Sequence, residues 1–422
     1  MTAEDKLRGQ ATQFEKQVIE LAPGIWIAVG FAASNVHLIE GDGGAILIDT
    51  TESTQAATDI RAAFRERSNL PIKAIIYTHS HRDHISGATI FAEGGEPEII
   101  ARDNFSSDLV TDAATRPTPV KAILARTKRQ FGIGLSFPDQ HINIGIGPGD
   151  RPLRGLGAGY LPPTRRLTQH RETLEIAGRT LVLQAAPGET ADHLIVWLEA
   201  ERLLFCGDNF YHAFPNLYAI RGTVYRDFEA WAETLDALLE FDAEILAPGH
   251  TMPVFGAAAI RERLTDYRDA IRSVISQTVE GMSAELTPDE LVEQVRLPPE
   301  LAAKPWLQEF YGKVEWAVRA YFAGTMGWFD GRASHLFPLR PSDEAKRMAT
   351  LAGSPGALLA AAQRALADGD HQWALTLADH LDHLDASAEA VREIKRTAYV
   401  ELARVQINAC ARNYFLTAAD EL

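Results

Sequence analysis

The sequence predicts an α/β fold followed by an all-helical region, on three observations. Short apolar runs bounded by tight turns alternate with helical stretches through about residue 255, a pattern of layered sheets and helices rather than of an all-β sandwich. Beyond about Gly256 the strands stop and apolar residues recur at helical spacing. At 422 residues the chain also exceeds the size at which one core usually stops growing. Two domains are therefore expected, residues 1–258 and 259–422.

In chain order, strands are expected over residues 25–29, 35–39 and 45–49, with Gly41, Asp42, Gly43 and Gly44 forming the hairpin between the last two. A helix over 54–67 leads into an apolar strand at 72–77, and further strands follow at 180–184, 194–198 and 202–206. Residues 130–168 break the pattern with clustered glycines and prolines, and a connection that long is usually a functional loop or disordered. In the second half, residues 260–278 keep helical spacing. Thr287 as N-cap, Pro288 at the first helical position, then Asp289 and Glu290, make a second helix start. Ser342 is the expected cap of a third. The Ala- and Leu-rich tail holds one helical hairpin of the tetratricopeptide type around residues 361–375, too little for a repeat array. These helices must bury their apolar faces against the first domain or a second copy.

Composition narrows the function. The chain is 46% hydrophobic and 23% charged, ordinary for a soluble globular protein. A formal net charge of -16 argues against a nucleic-acid partner, which needs a basic face. It still admits a small anion, for which a few arginines in one pocket suffice. No apolar run approaches the roughly 18 residues of a membrane span. Residues 1–16 are polar and lack the apolar stretch of a signal peptide. Cys206 and Cys410 fit neither a disulfide framework nor a CxxC metal knuckle. A cytoplasmic location is expected, with the periplasm open to a processed chain.

The chemistry is concentrated in His79, His81, Asp83 and His84, which follow the apolar strand at 72–77. Imidazole and carboxylate together suit Zn²⁺, Fe or Mn²⁺ better than Ca²⁺ or Mg²⁺, which prefer all-oxygen shells. His79 and His81 are two apart and project to one side of an extended segment. Asp83 and His84 then fall on a turn, free to face a second centre. A polar loop with incidental histidines would stand alone, and this motif does not. Glu189, Asp208 and His250 each sit just past the C-terminal end of an apolar segment, so a sheet edge would converge them. The long connection lies between the first and the later candidates, which predicts a lid over the site.

In this order the residues resemble the pattern of metallo-β-lactamase-fold hydrolases, whose fold is an αββα sandwich. Most of that superfamily has a His at the Pro-Gly corner where this chain has Glu189. A carboxylate there is similar to the type III, zinc-dependent alkylsulfatases, and the stretches 206–209, 216–222, 225–227, 267–271 and 327–331 match that family too. The resemblance implies a dinuclear Zn²⁺ hydrolase that cleaves alkyl sulfate esters to alcohol and inorganic sulfate by a zinc-activated water. His79, His81 and Glu189 would hold one zinc, and Asp83, His84 and His250 the other. Asp208 would bridge them, and Asp83 and Asp208 would count among the catalytic groups. His193 is read as a substitute ligand or as a structural His behind the ligands.

Arg221 and Arg226 follow Asp208, and the family assigns their segment to sulfate binding; planar guanidinium forks pair well with oxyanions. The alternative is a surface pairing with Asp227 or Glu229. Tyr160 would line the alkyl channel or serve packing. The helical half resembles the family's dimerisation domain, which implies a homodimer. Two departures stand out. The family's lipid-carrier-like module has no counterpart up to Leu422, and Glu315 falls in a helix where some members place a His near the sulfate. A carboxylate facing the pocket there would repel an anion. A same-fold hydrolase of another ester or a lactam, and a metal-binding regulatory or assembly protein, are the competing readings.

Overall fold

The computed structural model describes residues 1–106, 119–384 and 388–422. Thirteen strands among them form two sheets. The first contains, in spatial and chain order, β1 (Gln17–Ala22), β2 (Ile25–Val29), β3 (Val36–Gly41), β4 (Gly44–Ile48), β5 (Ile72–Ile76), β6 (Glu98–Arg102) and β7 (Arg165–Leu167). It is antiparallel from β1 to β4 and parallel from β4 to β7. The second has the order β13-β12-β11-β10-β9-β8, built from β8 (Arg171–Ile176), β9 (Arg179–Ala185), β10 (Leu194–Leu198), β11 (Leu203–Gly207), β12 (Ile245–Pro248) and β13 (Val254–Phe255).

Side-chain alternation along each strand sorts residues into three apolar layers. Ile27, Val29, Ile39, Ile46, Ile48 and Ile76 face Leu181, Leu183, Val196, Leu203 and Phe205 between the sheets. The other face of the first sheet, with Trp26, Leu38, Leu47 and Ile75, packs on Ile60 and Phe64 of the helix Thr54–Arg65 and on Phe91. The outer face of the second, with Trp197, Leu204 and Cys206, packs on Trp231 and Leu235 of the helix Phe228–Leu239 and on Tyr267 and Ile271 of the helix Ala257–Ser283. The architecture is an αββα sandwich. Strands covered on both faces read as continuous apolar runs, which is why β4, β10 and β11 are apolar along most of their length. Each large aliphatic side chain fully buried contributes roughly 1.5–3 kcal/mol.

The glycine-rich connection is not a free lid. Ile142, Ile144 and Ile146 are buried with Leu7, Tyr211, Phe310, Tyr311 and Cys410. Asn143 Nδ2 donates to the Leu7 carbonyl at 2.9 Å, and Gln10 Nε2 donates to that of Gly145 at 2.6 Å. Alternating isoleucines and one polar side chain that satisfies the backbone make it a seam between the N-terminal helix, the sandwich and the C-terminal helix Ala409–Asp420.

The helical half begins on the same core, since Val314, Val318 and Phe322 of the helix Val314–Met326 join the layer that holds Trp231 and Tyr267. Thr287 caps the helix Pro288–Gln294 in a capping box with Glu290. The next expected cap shifts: Pro341 starts the helix Pro341–Ala352, Arg340 occupies the cap position, and Ser342 lies inside. The expected hairpin is formed by Pro355–Ala367 and His371–Leu381. Among the described residues no helix is long and apolar enough to cross a membrane.

Candidate metal centre

Four strand ends deliver the candidate ligands to one edge of the sandwich. His79 and His81 follow β5, Glu189 follows β9, Asp208 follows β11 and His250 follows β12. Asp83 and His84 lie in the one-turn helix Arg82–Ile85, for which His81 is the N-cap. The corners approach so closely that two of them require glycine. A Cβ on Gly249 would fall 2.4 Å from Asp208 Oδ1, and one on Gly207, whose φ is +50°, would fall 2.5 Å from His193 Nε2.

The ligand atoms converge. His79 Nε2 is 3.0 Å from His81 Nδ1 and 3.5 Å from Asp208 Oδ2. His81 Nδ1 is 3.7 Å from Glu189 Oε1. His84 Nε2 is 3.6 Å from Asp83 Oδ2 and 3.4 Å from Asp208 Oδ1. His250 Nε2 is 3.4 Å from Asp83 Oδ2 and 3.2 Å from Asp208 Oδ2. Ligand atoms at the usual distance from a tetrahedral zinc stand about 3.3 Å from each other, and these spacings bracket that value. Three groups share this closeness: His79, His84 and Asp208; Asp83, His84 and His250; His81, Glu189 and Asp208. The second is one of the sets expected from sequence. Asp208 belongs to both of the others and stands between His79, His84 and His250.

Hydrogen bonding also fits a cation. His84 Nε2 and Asp208 Oδ1 are buried without a hydrogen-bond partner, a costly state that a metal ion would relieve. The far nitrogens are engaged: His84 Nδ1 lies 2.7 Å from Asp49 Oδ2, His79 Nδ1 3.0 Å from Thr78 Oγ1, and His250 Nδ1 2.6 Å from the Ala33 carbonyl. Such contacts fix ring orientation and leave Nε2 pointing at the metal. Burial, with Arg221 and Arg226 nearby, pushes the His81 imidazolium well down, and burial does the same to His79. Both are therefore neutral, as ligands must be. Burial pushes Asp208 up, but His250, His84 and His79 outweigh it and hold the carboxyl well below its usual range.

Asp49 is a functional residue the sequence reading missed. Its carboxylate accepts the Thr78 N–H and Oγ1–H, both at 2.8 Å, besides holding His84. The signal was available, because Asp49 directly follows β4 just as Asp208 directly follows β11. Tyr211 was missed as well; its hydroxyl lies 3.4 Å from Glu189 Oε2 and accepts the Asn216 N–H at 2.8 Å.

The remaining candidates separate. His193 Nε2 accepts the Asp208 N–H at 3.0 Å and its ring stacks on His79, so it stands behind the ligands. Arg226 is buried and pairs with Glu189, Nη1 to Oε1 at 2.7 Å, while its Nε and Nη2 have no partner. Arg221 is half-buried, its N–H held by Gln130 Oε1 at 2.9 Å. Neither takes the surface pairing: Asp227 caps the helix Phe228–Leu239, and Glu229 accepts from the Tyr321 hydroxyl at 2.6 Å. Tyr160 is not brought to the ligands; it packs against Tyr77 in the layer between the first sheet and its helices. Glu315 pairs with Lys313 at 2.7 Å with its side chain 48% exposed, turned to solvent.

Fold and site together define a metal-dependent hydrolase framework, and residues 29–250 match the family model of the metallo-β-lactamase superfamily. Residues 287–422 match the model of alkyl sulfatase dimerisation. The chain is 36% identical over 395 residues to a linear primary-alkylsulfatase of Pseudomonas sp. (strain ATCC 19151), covering 91% of this chain and 73% of that one. It is 29% identical to an (R)-specific secondary-alkylsulfatase of Pseudomonas sp., covering 96% of this chain and 62% of the relative. Among solved structures, a stereoselective inverting sec-alkylsulfatase from Pseudomonas sp. superposes with a TM-score of 0.89 at 27% identity, over 99% of this chain and 67% of that one. The chain belongs to the alkylsulfatase family of the metallo-β-lactamase superfamily. It spans 62% to 73% of the length of these two curated relatives.

Proposed function

We propose that the chain hydrolyses alkyl sulfate esters to the alcohol and inorganic sulfate, with two Zn²⁺ as its cofactors. The observation that carries the reading is Arg226: a guanidinium almost wholly buried beside a carboxylate of the metal centre, with two donor nitrogens unused. A buried cation with free donors suits a small oxyanion, and a sulfate monoester carries one charge spread over its terminal oxygens.

His79, His81 and Glu189 would hold one ion and Asp83, His84 and His250 the other, with Asp208 shared by both. Two such ions, when bound, would supply a nucleophile at neutral pH by lowering the pKa of water and would help orient the ester. Arg226 and Arg221 hold the sulfate oxygens and set the direction of attack. The Asp83 side chain is 28% exposed against 3% for Asp208, so of the two carboxylates Asp83 is the one open to the incoming water. One water is consumed per ester: its oxygen replaces the ester bond that breaks, the alcohol and sulfate leave, and one proton passes to solvent. The chain works as a homodimer through its helical half.

Metal analysis combined with sulfate release from a panel of short alkyl sulfates tests the reading. Two Zn²⁺ per chain with sulfate release is the expected result. Turnover only of carboxylic or phosphate esters overturns the substrate, and a metal-free, inactive chain overturns the hydrolase.

A further inference from the structure

The loop between β2 and β3, residues 30–35, reaches the metal centre from the first sheet at three points. The Ala33 carbonyl lies 2.6 Å from His250 Nδ1. Ser34 Oγ donates to the Asp83 carbonyl. Asn35 clasps the turn that carries His250: its N–H donates to the Gly249 carbonyl at 2.7 Å, and its Nδ2 to those of Pro248 at 3.0 Å and Thr251 at 2.8 Å. Among the described residues, the loop makes no such bond to His79, His81 or Glu189.

Behind the loop stands a buried ion pair. Glu52 Oε1 accepts the Ala33 N–H at 2.9 Å and lies 3.0 Å from Arg151 Nε. Glu52 is 5% exposed and Arg151 7%. Arg151 belongs to the glycine-rich seam, which presses on the same peptide: a Cβ on Gly147 would fall 2.8 Å from the Ala33 carbonyl oxygen. Desolvating two charges is expensive, and an apolar pair of the same volume often serves stability equally well. This pair instead fixes one peptide group. A carboxylate on its N–H also polarises the peptide and makes its carbonyl a stronger acceptor. Because a carbonyl only accepts, His250 Nδ1 carries a proton, so in the neutral ring a metal ligand requires, the lone pair is on Nε2, which faces Asp83 and Asp208.

We propose that Glu52 and Arg151 are positioning residues for the Asp83, His84 and His250 half of the centre, acting through the Ala33 peptide to set the orientation and tautomer of His250. The inference rests on the metal-centre reading above. Its test is titration of Zn²⁺ alone into the metal-free parent, E52Q and R151K by calorimetry with a competing chelator, alongside the visible spectrum of the Co²⁺-loaded proteins. Glu52→Gln keeps the shape but leaves one amide oxygen for two donors. Arg151→Lys keeps the charge and loses the planar fork.

In each variant one of the parent's uptake steps is expected to weaken about 10- to 100-fold, the usual effect of losing a partner behind a ligand. The other step stays within about threefold, and the Co²⁺ bands of the weakened site change. Variants that match the parent overturn the inference. So does equal weakening of every step, which is what general loosening of the fold would give. Should E52Q not fold, R151K decides on the same criteria. A parent that takes up no Zn²⁺ overturns the metal centre and this inference together, whereas a metal-binding parent with unaffected variants overturns the inference alone.

Discussion

Arg226 Nη1 stands 2.7 Å from Glu189 Oε1, and both residues are 3% exposed. The carboxylate at this corner and the buried arginine are therefore one structural feature. A His in place of Glu189 would leave the guanidinium buried without a counter-charge. Tyr211 closes the other side, its hydroxyl near Glu189 Oε2 and bonded to the N–H of Asn216, whose carbonyl accepts from Arg226.

Removing one partner of a buried pair costs about 3–5 kcal/mol, so R226M is expected to destabilise the metal-free chain by that order. With Zn²⁺ bound, Glu189 gains another cation, and the gap to the parent should narrow. Calorimetric melting in chelator and in saturating Zn²⁺ measures both. If Arg226 holds the sulfate, kcat/KM for an alkyl sulfate falls by about 100- to 1,000-fold, the usual loss of a donor to developing charge. A gap that is equal in both conditions would separate Arg226 from the metal centre.

His193 is expected to behave as a support and not as a ligand. H193A leaves the Asp208 N–H buried and unpaired, at a cost of about 1–3 kcal/mol, because that N–H donates to His193 Nε2 at 3.0 Å. The metal-to-protein ratio measured by mass spectrometry should equal that of the parent. Loss of one ion per chain would make His193 a ligand.

The convergence of the candidate ligands was legible because metal chemistry limits the residue types and strand ends repeat a pattern: His79, His81, Glu189, Asp208 and His250 all follow apolar segments. What was not legible depends on neighbours from distant parts of the chain. Asp49 reads as an ordinary strand end until His84 is seen beside it. The connection over residues 130–168 read as a lid because it is long, rich in glycine and proline and placed between the candidate ligands, whereas Ile142, Ile144 and Ile146 bury part of it. Tyr160 was drawn to the site by its place in sequence, but Tyr77 and the helix layer claim it. Glu315 raised a repulsion that its helix phase removes.

Stability should fall on mild acidification. Burial, helped by the Arg151 guanidinium, pushes the His141 imidazolium down to about 4. The folded chain then binds fewer protons than the unfolded one between that value and the unfolded pKa of about 6.5. The contribution is complete above pH 6.5 and is lost as the pH falls towards 4, in all roughly 3 kcal/mol. Urea unfolding across this window should show a shallower decline for H141Q than for the parent. Parallel curves would mean that His141 does not titrate in this way.

The segment after the helix Val314–Met326 should hold the second copy. Trp328 is 78% exposed and Phe337 93%, large apolar side chains that a second copy would cover. The segment lies within residues 287–422, which match the model of alkyl sulfatase dimerisation. A full burial contributes about 1.5–3 kcal/mol per side chain, and two-fold symmetry applies each substitution twice. W328S/F337S thus removes up to roughly 6–12 kcal/mol of association free energy. Sedimentation equilibrium should find the double variant monomeric where the parent is dimeric, with unchanged far-ultraviolet circular dichroism because neither side chain supports the subunit core. A folded double variant that still sediments as a dimer would move the interface elsewhere on the helical half.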